Sequence, residues 1–178
     1  MKKYIIVSFV LLISSCSVYK EVGSISVSYK NENKTINIYN TFSHYFTNAS
    51  LIKSDTSKHY YQDLITNGDD IVIIFTFDYN TKTISATDAF QLYTTYLEIK
   101  NFQGENSTIE LDSTNSVVYT KYQTFLVLNY FFNPHGSVNV TRKNNDSLLV
   151  KIQLEYANGL ALKGEFIALK DTSNSKYF

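Results

Sequence analysis

The side chains best suited to acid–base or metal chemistry near neutral pH are three histidines, His44, His59 and His135. They lie far apart in sequence, and none falls in an HExxH, HxH or similar ligand spacing. His135 stands beside Pro134 in "NPHG", which reads as a tight turn and places the imidazole on an exposed loop. Among the acids, Asp69-Asp70 precede an apolar run and could join Asp88 or Glu98 in an oxygen cage for a hard cation. A DxDxDG-type loop is missing, so no metal is expected. GxSxG and glycine-rich phosphate loops are also missing. Glycoside hydrolysis would need two carboxylates at a set separation, which a sequence does not specify. The expectation is therefore a non-enzymatic chain with no catalytic residue and no cofactor. A hydrolase with an unrecognised site stands behind it as a further alternative.

Tyrosines are the more informative feature: 15 of them, with no tryptophan. Tyr29, Tyr79 and Tyr156 fall on apolar faces and read as core. Tyr60 and Tyr61, in "HYY", lie where no core-facing period accounts for them. Exposed tyrosines on a rigid sheet make contact surfaces for proteins or sugars. Tyr60, Tyr61 and His135 are accordingly the candidate ligand-binding residues.

The single cysteine, Cys16, ends a distinctive opening segment. Lys2 and Lys3 form a positive n-region, and residues 4–13 (YIIVSFVLLI) an apolar h-region shorter than the roughly 20 residues that span a bilayer. Ile13-Ser14-Ser15-Cys16 resembles the lipobox of bacterial lipoproteins. That resemblance implies cleavage before Cys16, diacylglycerol on its thiol and acylation of the new amino terminus. It also implies a membrane anchor rather than a span, since several acyl chains hold firmly where one does not. With Cys16 acylated, no thiol remains for a disulfide, a nucleophile or a metal. The whole resembles the small all-β lipoproteins of Bacteroidota. Asp112-Ser113-Thr114 and Asp146-Ser147-Leu148 resemble the short O-glycosylation sequon of that group. "SVYKE" after Cys16 lacks the acidic run that resembles a surface-export signal. An outer-membrane anchor facing the periplasm is the resulting expectation, with surface exposure as the alternative.

Composition narrows the partners. Loss of Lys2 and Lys3 leaves 14 basic residues against 16 acidic, so a mature domain is nearly neutral. That argues against nucleic acid and anionic bilayer faces, which reward a basic patch. With 44% hydrophobic and 15% aromatic residues, the chain can bury a substantial core.

The elements that must carry these residues read mainly as strands. Residues 1–15 are the signal peptide, 16–23 a lipidated tether, 24–170 one β domain and 171–178 a tail. Ser24, Ser26 and Ser28 alternate with Ile25, Val27 and Tyr29, and Ile36 and Ile38 continue the alternation after a turn at "NEN". Residues 24–39 are thus a hairpin. Phe42, Tyr45, Phe46 and Ala49 stand at i, i+3, i+4, i+7, so 41–66 reads as an irregular or short helical excursion. "NGDD" at 67–70 reads as a turn, followed by a central strand that is apolar on both faces from Ile71. Residues 88–100 fit strand or helix, and their β-branched and aromatic content favours strand. Residues 108–111 form a short strand and 117–132 a long β run that bends. The stretch 137–169 reads as a three-stranded meander with turns at "RKNND" and at a type I′ Asn158-Gly159. The fold expected is an all-β antiparallel sandwich, with a small antiparallel barrel as the alternative. The function expected is a lipid-anchored envelope module that binds a protein partner, the alternative being glycan binding through loop tyrosines.

Overall fold

A computed structural model of the chain describes residues 20–39, 42–51, 65–79, 91–102, 104, 106–111, 116–123 and 128–171. Cys16, Tyr60 and Tyr61 lie outside the described residues, as do Asp88, the "DSTN" turn and the tail beyond Asp171. The chain is all-β and sandwich-like: eleven strands in one open, mixed sheet, with no helix among the described residues.

The first hairpin forms where the alternation places it. β1 (Glu21–Tyr29) and β2 (Glu32–Tyr39) pair antiparallel from Tyr29↔Glu32 to Glu21↔Tyr39. Its turn is Lys30-Asn31, one residue ahead of "NEN". Both residues take left-handed φ (50° and 66°), the backbone a two-residue type I′ turn requires. β1 begins at Glu21, within the stretch expected to be tether.

β3 (Ser43–Leu51) and β4 (Ile65–Asp78) correct two expectations. The helical reading of 41–66 fails over 42–51 because this strand carries a bulge at Asn48, whose φ is 55°. The bulge breaks the alternation. Ser43 and Tyr45 point into the main core, whereas Phe46, Ala49 and Leu51 pack in a separate cluster on the outer face. A three-residue step from Phe46 to Ala49 imitates a helical face. "NGDD" is not a turn either: β4 runs straight through it, with Ala49 of β3 opposite both Asn67 and Asp70.

The strand reading of 88–100 holds as β5 (Leu92–Ile99), paired to β4. β6 (Ser107–Glu110) is the short strand expected. The long run at 117–132 is two strands, β7 (Ser116–Gln123) and β8 (Leu128–Phe132), which pair with each other as a hairpin. The meander is β9 (His135–Asn144), β10 (Ser147–Glu155) and β11 (Ala161–Lys170). β9 extends through "RKN", so the turn is Asn145-Asp146. The last turn is not type I′. Gly159 N–H donates to Tyr156 O (2.9 Å) and only Gly159 has positive φ (86°), a type I turn closed by a glycine bulge.

Strand order is β6-β9-β10-β11-β3-β4-β5-β7-β8, with β1 and then β2 branching from β11. The open ends set the barrel aside. One edge of β11 is divided: residues 161–166 pair with β1, while Leu169 and Lys170 pair with His44 and Tyr45 of β3. That last contact is parallel, so the sheet is mixed rather than wholly antiparallel. From this fork two arms face each other across one core, in which Phe75 and Phe166 meet at 4.6 Å and Phe77 stacks on Tyr93 at 5.1 Å. A buried hydroxyl chain, Thr95–Thr120–Tyr156 (2.8 and 2.6 Å), satisfies the polar groups within it. Tyr79 and Tyr156 are core residues and Tyr29 packs against them, as expected.

Candidate binding groove

The fork leaves two strand edges facing each other. β2 pairs only with β1, so its other edge meets no described strand. The closing pair Tyr29–Glu32 is of the hydrogen-bonded kind, and alternation then turns the N–H and C=O of Asn33, Thr35 and Asn37 to that open side. Across from it, β3 starts its pairing with β4 at Ser43↔Phe75, so Thr76, Phe77 and Asp78 lie beyond its reach.

Between these edges is a groove of about 380 Å³. Ile36, Phe77 and Leu92 give it an apolar floor, while Thr35, Asn37, Thr76 and Asp78 supply polar groups. Tyr39 and Phe42 form its rim and are 38% and 45% exposed. Next to the lining residues, Tyr79 ties β2 to the end of β4: its hydroxyl donates to Glu32 Oε2 (3.2 Å) while the Lys34 ammonium sits 4.0 Å from its ring centroid. Burial, then the Glu32 carboxylate, raise the Tyr79 phenol above its ordinary pKa. Asn37 Nδ2 donates to Glu21 Oε2 (2.9 Å) toward the other end. Its described lining contains no nucleophile paired with a base.

His135 is exposed, but it begins β9 instead of sitting in the turn; positive φ occurs on either side of it, at Asn133 (50°) and at Gly136 (124°). It pairs with Glu155, and the row continues through Ala161 and Ser28 to Asn33. Four strand spacings, roughly 19 Å along the sheet, separate it from the β2 edge. The structure therefore does not bring His135 to the groove. Sequence reading missed Tyr39, Phe42 and Asp78. Their signal was faint: two aromatics just outside the alternating run of β2.

A second polar cluster lies on the outer face of the β3–β8 arm. Asp70 and Glu98 do come together: burial, with Asp70 adding to it, raises the Glu98 carboxyl above its ordinary pKa. Asp69 is exposed, and no group of three metal-ligating side chains occurs among the described residues. Glu98 is 6% exposed, and its Oε2 accepts the Leu51 N–H (2.9 Å). Asp70 Oδ1 accepts the Asn101 N–H (3.1 Å). Alongside, Tyr96 stacks on Tyr119 (4.7 Å), and Tyr130 and Phe132 continue the aromatic surface to β8.

The chain matches no protein-family model, and comparison with curated proteins and with solved structures returns no significant match.

Proposed function

We propose that this chain is a lipid-anchored, non-enzymatic binding module of a bacterial envelope, which holds an extended segment of a protein partner in the groove between β2 and β4. The observation that carries the reading is the pair of strand edges, of β2 and of β4 past Phe75, that pair with no strand on their facing sides among the described residues and flank an apolar floor. An added strand gains main-chain hydrogen bonds from Asn33, Thr35 and Asn37, and its alternate side chains reach Tyr39 and Phe42. The anchor rests on the lipobox resemblance at Cys16, and acylation there would hold the domain at an outer membrane, facing the periplasm.

Site-specific photocrosslinking in cells tests this. A benzoylphenylalanine replacing Phe42 should capture one defined protein, and the same probe replacing Lys163, on the polar face of β11, should not. No captured protein at 42, or the same products at both positions, would overturn the protein-binding reading. A second reading is favoured by the rim itself, because a sugar ring can stack on Tyr39 while Asn37 and Asp78 bond its hydroxyls. Glycan-array binding abolished by Tyr39→Ala would select it.

A further inference from the structure

We propose, on the reading of the groove as a peptide-holding site, that it captures the amino end of its partner: an extended segment lies in over Tyr39 and Phe42 and terminates with its ammonium on Asp78. One end of the groove is bridged. Tyr79, the residue after β4, bonds Glu32 of β2 across the gap (3.2 Å), with the Lys34 ammonium 4.0 Å from the same ring. A chain lying along the floor must stop at this bridge or climb out over it. The opposite end has only a rim of exposed rings, because β2 finishes at Tyr39 and Phe42 stands just before β3.

The chemistry at the bridged end selects an ammonium. Asp78 is the only Asp, Glu, Lys, Arg or His in the described lining, so a terminal carboxylate would meet a like charge and no cation there. Lys34, beside the lining, is already committed to the Tyr79 ring and to Glu32 Oε2 at 3.7 Å. Asp78 Oδ1 accepts the Gln91 N–H (3.3 Å), and a carboxylate has sites for further donors. The backbone agrees. Tyr79 N–H donates to Gln91 O (3.0 Å), so alternate residues of this strand bond toward β5, and the main-chain groups of Thr76 and Asp78 turn the other way, to the groove. A chain that starts at Asp78 and runs out over Phe42 is antiparallel to β4. It thus shares the direction of β3 and prolongs the line that β3 takes up at Ser43. A chain seated carboxyl end first would run parallel to β4 and set its charge against Asp78.

The test applies the whole chain to an array of hexapeptides tethered by their carboxyl ends and displayed with free or with acetylated amino ends. Selected peptides are then titrated in solution by fluorescence anisotropy. Acetylation should weaken binding about tenfold, the scale of a hydrogen bond to a charged group. Asp78→Asn, which keeps an acceptor for Gln91, should weaken the free peptides by a similar factor and leave the acetylated ones unchanged. Tyr39→Ala, at the rim, should weaken both forms equally. Equal affinity of free and acetylated peptides, with Tyr39→Ala still weakening both, would overturn amino-end capture and leave the groove a peptide site. An acetylation effect that persists in full in Asp78→Asn would overturn the role of Asp78. Binding of neither form, or binding indifferent to Tyr39, would overturn amino-end capture and the peptide-holding reading together.

Discussion

At the residue scale, the buried polar side chains among the described residues divide into those with partners and one without. Ser43 Oγ is fully buried and has no hydrogen-bond partner among the described residues. An unsatisfied buried hydroxyl costs about 1–3 kcal/mol. Ser43→Ala should accordingly raise the denaturant midpoint, with a gain of about 1 kcal/mol. Tyr156→Phe should move it the other way. It deletes one bond of the Thr95–Thr120–Tyr156 chain while leaving Thr120 its bond to Thr95, so a loss of about 1 kcal/mol is expected. The same tyrosine sets the alkaline limit. Burial raises its phenol far above the ordinary value, and Tyr93 shares that shift for the same chief reason. Since the neutral form is favoured only in the folded chain, the stabilisation is whole below about pH 10 and is lost as pH climbs toward the folded values. Absorbance titration at 295 nm should show these two phenols ionising together with unfolding, after the exposed tyrosines. The burial of Tyr156 was legible early, because apolar alternation placed it inside. The Asp70–Glu98 pair was legible only as a meeting of two acids. What they do together depends on a burial that no spacing reveals.

At the element scale, strands with an unbroken period of two were readable and those with an inserted residue were not. β10 buries Leu148, Val150, Ile152 and Leu154 without interruption, and its reading needed no correction. β3 hides the same rule behind Asn48, and Tyr45 and Phe46 before the bulge with Ala49 after it then mimic a helix. The turns erred in a related way. Asn-Gly pairs promise tight hairpins, but Asn67-Gly68 is absorbed by the β3–β4 irregularity and Asn158-Gly159 sits in a three-residue loop. β11 supplies the sharpest test of packing. A Cβ on Gly164 would run into the Ser24 carbonyl and the Ile25 backbone, neither of which can swing aside. Gly164→Ala should cost about 1–3 kcal/mol by overpacking, measured by chemical denaturation. A smaller effect would mean that β1 can shift away from β11.

At the scale of the whole molecule, both arms depend on one core, so they should not melt separately. Phe75 of one arm touches Phe166 of β11, and its removal opens a cavity where the arms meet. Phe75→Ala should cost about 3–5 kcal/mol and still give one transition by far- and near-ultraviolet circular dichroism. Two separated transitions would show the arms to be independent. The all-β class was readable from composition and turn spacing. The fork was not, because nothing local in 161–170 announces that two different strands will share one edge.

That shared edge also governs when folding can happen. β1, β3 and β10 all pair with β11, which follows every one of them in the chain. Until residues 161–170 emerge, neither the first hairpin nor the β3–β4 pair has a flank to settle on, and the contacts that unite them span most of the chain. Contacts this distant in sequence make for slow folding. A chain cut before Ala161 should remain protease-sensitive throughout, and a growing one should stay unfolded until residues 161–170 emerge, the condition in which a polypeptide can still be threaded through a narrow channel.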